Sequence, residues 1–130
     1  MAVQHPTLDP LIGVWHSRGQ VLDEDGATVV ATIEGTDTYD WLGPTVVHRA
    51  DVMMGDRHTR SLEVIEPYDT DLGAFPTRAY DDEGVWTFRA AGAHSTLRIA
   101  DDGSSMEGRW VIHLKDGGER PWMPMTFVRQ

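Results

Sequence analysis

The sequence contains no cysteine among its 130 residues, which excludes disulfides, thiolate chemistry and cysteine-ligated zinc. It also has no apolar run near the roughly 20 residues that span a bilayer. The first residues show neither the basic nor the apolar segment of a secretory signal. We therefore expect a cytoplasmic protein that does not associate with membranes.

Basic residues are scarce. Eleven Lys and Arg stand against 21 Asp and Glu, a formal net charge of −10, which argues against nucleic acid or anionic lipid as a partner. The acids recur in short runs that end in glycine: Asp23-Glu-Asp-Gly, Asp81-Asp-Glu-Gly and Asp101-Asp-Gly. Such runs are typical of turns, and none has the spacing of an EF-hand. They predict solvated turns rather than calcium sites.

Several catalytic motifs are missing as well. There is no Gly-x-Ser-x-Gly elbow and no glycine-rich phosphate loop, which removes the usual signals for serine hydrolases and nucleotide binding. No His-x-His pair occurs, and His48 with His58 would supply only two ligands, fewer than a catalytic zinc requires. The sequence therefore predicts no metal site.

What the sequence does have is alternation. Apolar residues recur at every second position between glycine-containing turns, the pattern of an all-β chain. The predicted strands cover residues 14–22, 28–34, 37–42, 45–54, 58–65, 74–80, 85–91, 95–99, 106–114 and 122–129. Short turns make successive strands antiparallel neighbours, and closure removes exposed edges. We expect one domain over 1–130: a helical-turn plug at 1–12 and a single antiparallel up-and-down barrel of about ten strands at 13–130.

The two ends of the chain predict how such a barrel closes. Gly13-Val14-Trp15 opens the first strand, and the last strand ends at Arg129. In a closed barrel these strands are neighbours, so the Arg129 guanidinium is expected to lie over the Trp15 ring as a cation–π contact.

A wider resemblance lies in the order of short motifs along nearly the whole chain. These are Leu11-Ile-Gly-Val-Trp, Gly35-Thr-Asp-Thr-Tyr-Asp-Trp-Leu-Gly, Val47-His-Arg-Ala-Asp-Val, Leu62-Glu-Val-Ile, Asp102-Gly, Gly108-Arg-Trp and Asp116-Gly-Gly followed by Pro121-Trp-Met. The order resembles a group of uncharacterised bacterial calycin-like proteins, whose wider relatives are nitrobindins, fatty-acid-binding proteins and lipocalins. The resemblance implies the barrel fold; calycins include ligand binders, haem proteins and a few enzymes.

Alternation also predicts which side chains face the interior. The predicted lumen is aromatic, and a barrel of this width leaves room for one small ligand. The predicted ligand-binding residues are Tyr39, Trp41, His48, Arg60, Trp86, Phe88 and Trp110.

Two of these residues are polar anchors. His48 shares the inward face of its strand with Val46 and Ala50, and it is the candidate acid or base, although a buried histidine bonded to a neighbouring Asp or Tyr is an equally good interpretation. Arg60 is assigned to the lumen with His58, whereas Glu63 alternates away from that face. The resemblance to fatty-acid-binding proteins implies that an interior arginine binds a carboxylate.

Three hypotheses follow. The first is a binding protein for a small hydrophobic or aromatic molecule. The second is a small cofactor-independent isomerase or cyclase that uses His48, which leaves open whether the protein is an enzyme. The third is a filled barrel without ligand.

No cofactor is expected. Haem remains the alternative that the nitrobindin resemblance implies, but the last strand has no histidine and His113 alternates outward. The oligomeric state is open, with a homodimer as one option.

Overall fold

A computed structural model of the chain describes residues 6–65, 77–80, 85–90 and 92–130, with the backbone alone at 6–8, 77–80, 85–86 and 88–90. Within these ranges a 3₁₀ helix (Pro6–Leu11) precedes nine strands. They are β1 Gly13–Leu22, β2 Val29–Leu42, β3 Thr45–Met54, β4 Arg57–Ile65, β5 Thr77–Tyr80, β6 Val85–Ala90, β7 Ala93–Ile99, β8 Ser105–His113 and β9 Glu119–Arg129. None of the described helical residues forms a segment long and apolar enough to cross a bilayer.

All nine strands belong to one antiparallel sheet with the order β4-β3-β2-β1-β9-β8-β7-β6-β5. The first and last strands are neighbours, and Trp15 pairs with Arg129. The predicted all-β, up-and-down topology is therefore confirmed. Among the described residues no strand pairing joins β4 to β5. Side chains of β2–β4 and β7–β9 line a common interior, which shows that the sheet is curled.

The predicted number of about ten strands is not confirmed, since the described residues form nine, and the predicted break between residues 34 and 37 is wrong. Segments 28–34 and 37–42 form one continuous strand, β2, and Gly35 lies inside it rather than in a turn. A Cβ at Gly35 would overlap the Asp51 carbonyl oxygen and the Val52 Cα of β3. The glycine is needed because the neighbouring backbone comes so close.

The acidic runs form turns where the structure describes them. Asp25 accepts hydrogen bonds from the backbone N–H groups of Ala27 and Thr28 and from the Thr28 hydroxyl. These bonds lower the pKa of Asp25 to about 2. Asp102 accepts bonds from the backbone N–H and hydroxyl of Ser104. The run Asp81–Gly84 lies outside the described residues.

The core sits at the end of the barrel where the N-terminal helix docks. Its largest cluster combines Leu11 with side chains from β1–β4 and β7–β9: Trp15, Tyr39, Val46, Ile65, Leu97, Met106 and Phe127. Leu11 and Trp15 are fully buried, and the indole N–H of Trp15 donates to the Leu11 carbonyl at 2.9 Å. The helix is thereby tied to β1.

Arg129 closes this end of the barrel. Its guanidinium carbon lies 4.2 Å from the centroid of the Trp15 ring, which confirms the predicted cation–π contact. The same guanidinium donates to the carbonyls of Ile12 (2.6 Å), Pro10 (2.7 Å) and Gly103 (2.8 Å). One side chain thus satisfies backbone acceptors from the end of the 3₁₀ helix and from the β7–β8 turn.

We expect Arg129→Ala to lower the free energy of unfolding by about 3 kcal/mol, because three charge-assisted hydrogen bonds and the stacking on Trp15 are lost together. The matched control is Arg18→Ala on β1, whose side chain is 70% exposed and contacts Glu34 at 3.6 Å. That variant should change stability by less than about 0.5 kcal/mol. Urea denaturation measures both; equal losses would show that Arg129 is not a closing contact.

Candidate functional site

The curled sheet forms a partly open cavity of about 460 Å³, within the range of small-ligand sites. Its walls are mainly apolar. The apolar side chains that line it include Ile33, Val52, Met54, Ala93, Leu97, Trp110, Trp122, Met123, Met125 and Phe127. Its most polar portion is formed by Asp37, Tyr39, His48 and Glu63 on β2, β3 and β4.

The structure brings three of the predicted ligand-binding residues to this cavity: Tyr39, His48 and Trp110. Trp41 does not line it; this side chain is half-buried and packs against the core cluster instead. Trp86 and Phe88 lie in β6, paired with Leu97 and Ser95 of β7, but their side chains fall outside the described residues.

The placement of Arg60 in the lumen is wrong. Arg60 pairs with Asp51, its Nε lies 3.5 Å from the Asp51 carboxylate, and its side chain is 74% exposed on the outer surface. His58 lies on the same outer face, 2.5 Å from Asp51. The error is one of strand phase: Leu62 and Val64 are apolar but exposed, so they do not mark an inward face.

Glu63, rather than Arg60, is the charged residue of β4 that lines the cavity. It pairs directly with His48 across β3 and β4, and its side chain points inward. Sequence alternation had assigned it to the outer face. The polar end of the cavity therefore carries a carboxylate where an arginine had been expected.

A row of four polar side chains crosses β1 to β4. His48 holds the centre: its Nδ1 lies 2.5 Å from Glu63 Oε1, and its Nε2 lies 2.5 Å from Asp37 Oδ2. The Ser17 hydroxyl donates to the other oxygen of Asp37. Ser17 and Asp37 are both buried. Tyr39 covers the imidazole, with the ring centroids 4.2 Å apart and the planes 1° from parallel.

This arrangement sets the protonation state of His48. Burial by itself lowers the pKa of the imidazole, but hydrogen bonds to Asp37 and Glu63, together with their negative charges, outweigh it and raise the pKa to about 9. At neutral pH the ring is therefore an imidazolium that donates both N–H groups to carboxylates. The three charged groups sum to a net charge of −1 at the cavity wall.

Tyr39 remains protonated in this setting. Burial, followed by the charges of Asp37 and Glu63, raises the pKa of its phenol well above the ordinary value. Tyr39 is therefore a neutral stacking partner for His48.

From the sequence, the partner of His48 was expected to be a neighbouring Asp or Tyr, Glu63 was assigned to the outer face, and Ser17 was not singled out. The signal that would have found Ser17 is its alternation with Trp15: both lie on the buried face of β1. A serine on an otherwise apolar inward face requires a polar partner.

The cavity residues do not fit haem ligation. Among the described residues His48 is the histidine that lines the cavity, and both of its nitrogens are engaged by carboxylates. His113 pairs with Glu119 on the outer face of β8 and does not line the cavity.

Comparison with solved structures supports the fold. The siderocalin Ex-FABP superposes with a TM-score of 0.53 at 10% identity over 93% of this chain and 74% of that one. Rv2717c from M. tuberculosis superposes with a TM-score of 0.52 at 12% identity over 98% and 99% of the two chains. The fold is calycin-like. No family model and no curated protein matches this sequence.

The raised pKa of His48 predicts a pH-dependent stability. A group whose pKa is about 9 in the folded chain and 6.5 in the reference state stabilises the fold fully below pH 6.5, and the stabilisation is lost as the pH rises through 9. We expect a loss on the order of 3 kcal/mol. Urea denaturation at a series of pH values measures it, and NMR titration of the His48 ring measures the pKa directly.

The matched control is His48→Gln, which keeps a polar side chain but cannot titrate. In that variant the decline in stability between pH 6.5 and 9 should disappear. A His48 ring that titrates at or below 6.5 in the folded wild-type protein would contradict the arrangement.

Proposed function

We propose that the protein binds one small hydrophobic or aromatic molecule in the cavity between β2–β4 and β7–β9. The observation that carries the proposal is a partly open, largely apolar cavity of about 460 Å³ that has a cluster of charged groups, Asp37, His48 and Glu63, in its lining. Concave apolar sites with a few convergent polar groups are the usual form of small-molecule sites. The calycin-like fold agrees with this, and one structural neighbour is a siderocalin described as having dual ligand specificities.

The lining favours a ligand of adaptable shape. Met54, Met123 and Met125 contribute flexible thioether side chains, which accommodate irregular molecules. Trp110 and Trp122 meet edge to face, with ring centroids 6.2 Å apart, and both border the cavity. These surfaces suit aliphatic chains and flat rings alike.

The polar wall favours a particular kind of head group. Asp37, His48 and Glu63 together carry a net charge of −1 with His48 protonated. Glu63 is the more open of the two carboxylates, with 20% of its side chain exposed against 8% for Asp37. An amine or another hydrogen-bond donor complements this wall, and the wall repels a carboxylate. Arg109 of β8 also borders the cavity, but it is an exposed residue and does not belong to this cluster. We therefore replace the expected carboxylate ligand with a cationic or donor-bearing one.

The catalytic alternative has less support. A general base needs a free lone pair at the operating pH, but the His48 ring donates through both nitrogens while it is protonated. A binding role for His48, as the bridge that fixes two carboxylates, agrees better with the geometry.

A fluorescent probe tests the binding proposal. N-phenyl-1-naphthylamine, an uncharged aromatic amine, should show saturable fluorescence enhancement with a single site. Ala50→Trp places an indole in the cavity and should abolish the enhancement while the protein still melts cooperatively. The matched control is Val64→Trp on the exposed outer face of β4, which should bind as the wild type does. Equal binding by both variants would exclude the cavity as the site.

Competition against the same probe tests the charge preference. Dodecylamine should displace the probe at least about 10-fold more effectively than dodecanoate at pH 7, since opposite charges differ by more than 1.4 kcal/mol near a carboxylate. Glu63→Gln should reduce the preference, and Arg60→Ala, outside the cavity, should leave it unchanged. A preference for dodecanoate would contradict the assigned polarity.

A further inference from the structure

Outside the cavity, three potential metal ligands come together on adjacent strands. His94 of β7, His113 of β8 and Glu119 of β9 each present one ligand atom, and these atoms all lie within 4.8 Å of one another. None of the three lines the cavity. Glu119 and His113 are exposed and His94 is half-buried, so the cluster is open to solvent.

Backbone register places the cluster. His113 pairs directly with Glu119, and the turn between them is ordered by bonds from Leu114 N–H to the Gly118 carbonyl and from Gly118 N–H to Asp116. The N–H of His113 also donates to the carbonyl of Gly92 at 2.9 Å, which ties β8 to the start of β7. The three side chains are thus carried by paired strands.

A bulge in β9 puts Glu119 on the correct face. Trp110 pairs with Met123 and Val111 pairs with Pro121, so Trp122 is an extra residue on β9. Met123 and Phe127 face the core, and strict alternation from them would turn Glu119 inward as well. The extra residue reverses the alternation and brings Glu119 beside His113 on the outer face.

The two imidazoles are already in contact. His94 Nδ1 lies 2.7 Å from His113 Nε2, with ring centroids 5.0 Å apart. Such a contact needs one N–H and one lone pair, so a single proton is shared between two nitrogens that are both capable of binding a metal. Replacing that proton with a metal ion requires the nitrogens to separate to about 3.3 Å, as tetrahedral bonds of about 2.0–2.1 Å demand.

We propose that His94, His113 and Glu119 form a binding site for a divalent transition-metal ion of the zinc type. Two imidazoles and one carboxylate are a common protein ligand set for zinc, and a water completes the tetrahedron. On binding, the shared proton moves to the far nitrogen of the same ring, so that both imidazoles bind the ion in their neutral form. Protonation of either ring in acid competes with the ion, so affinity falls as the pH becomes acidic. The ion joins three neighbouring strands and stabilises that side of the sheet. The net charge of −10 favours cation association in general.

The test uses the full chain without a polyhistidine tag. Zn²⁺ is titrated by isothermal calorimetry and by NMR of the histidine ring signals. One equivalent of Zn²⁺ should shift the His94 and His113 signals and raise the melting temperature. His113→Gln should weaken binding by about 100-fold or more, because it removes one of the three protein ligands. Glu119→Gln should weaken it less, since the amide oxygen remains a weak ligand.

The matched control is His58→Gln, which removes an exposed histidine paired to Asp51 on another strand and should bind Zn²⁺ as the wild type does. The proposal is overturned if His113→Gln retains wild-type affinity, or if Zn²⁺ shifts other histidine signals instead of these two. It is equally overturned if one equivalent shifts none. Because the cluster lies outside the cavity, neither result bears on ligand binding there.

Discussion

The imidazolium of His48, held between two carboxylates, is the interaction on which the interior depends. It links β3 to β2 through Asp37 and to β4 through Glu63, and Ser17 extends the row to β1. Removing the charge of His48 would leave two carboxylates in the interior without their shared cation, which is costly in a low-dielectric environment. The cluster therefore joins four strands and places a group of charged side chains in the lining of the cavity.

The fold was largely predictable because its determinants are local. Alternation and turn residues specify an antiparallel meander, and the pairing of first and last strands followed from closure, as the Trp15–Arg129 contact confirms. The glycine at position 35 was interpreted as a turn residue, and one strand was therefore predicted as two. A glycine in a turn and a glycine that admits a neighbouring backbone look the same in a sequence, and only the approach of β3 distinguishes them.

The site was less predictable because it depends on register between strands. Alternation placed His48 inward, but on β4 the apolar Leu62 and Val64 suggested the wrong face. The turn between β3 and β4 determines the register of the two strands. Met54 pairs with Arg57 across the two-residue turn Gly55-Asp56, which puts Glu63 opposite His48. The bulge at Trp122 has no comparable signal, so the approach of Glu119 to His113 and His94 could not be read from spacing.

The methionines offer the most direct test of the cavity as the binding site. With ¹³C-methyl labelling, addition of N-phenyl-1-naphthylamine should shift the methyl signals of Met54, Met123 and Met125, which line the cavity. The signal of Met53, 42% exposed on the outer face of β3, should stay in place. A shift confined to Met53, or saturable probe binding that moves none of the three cavity methyl groups, would contradict the account.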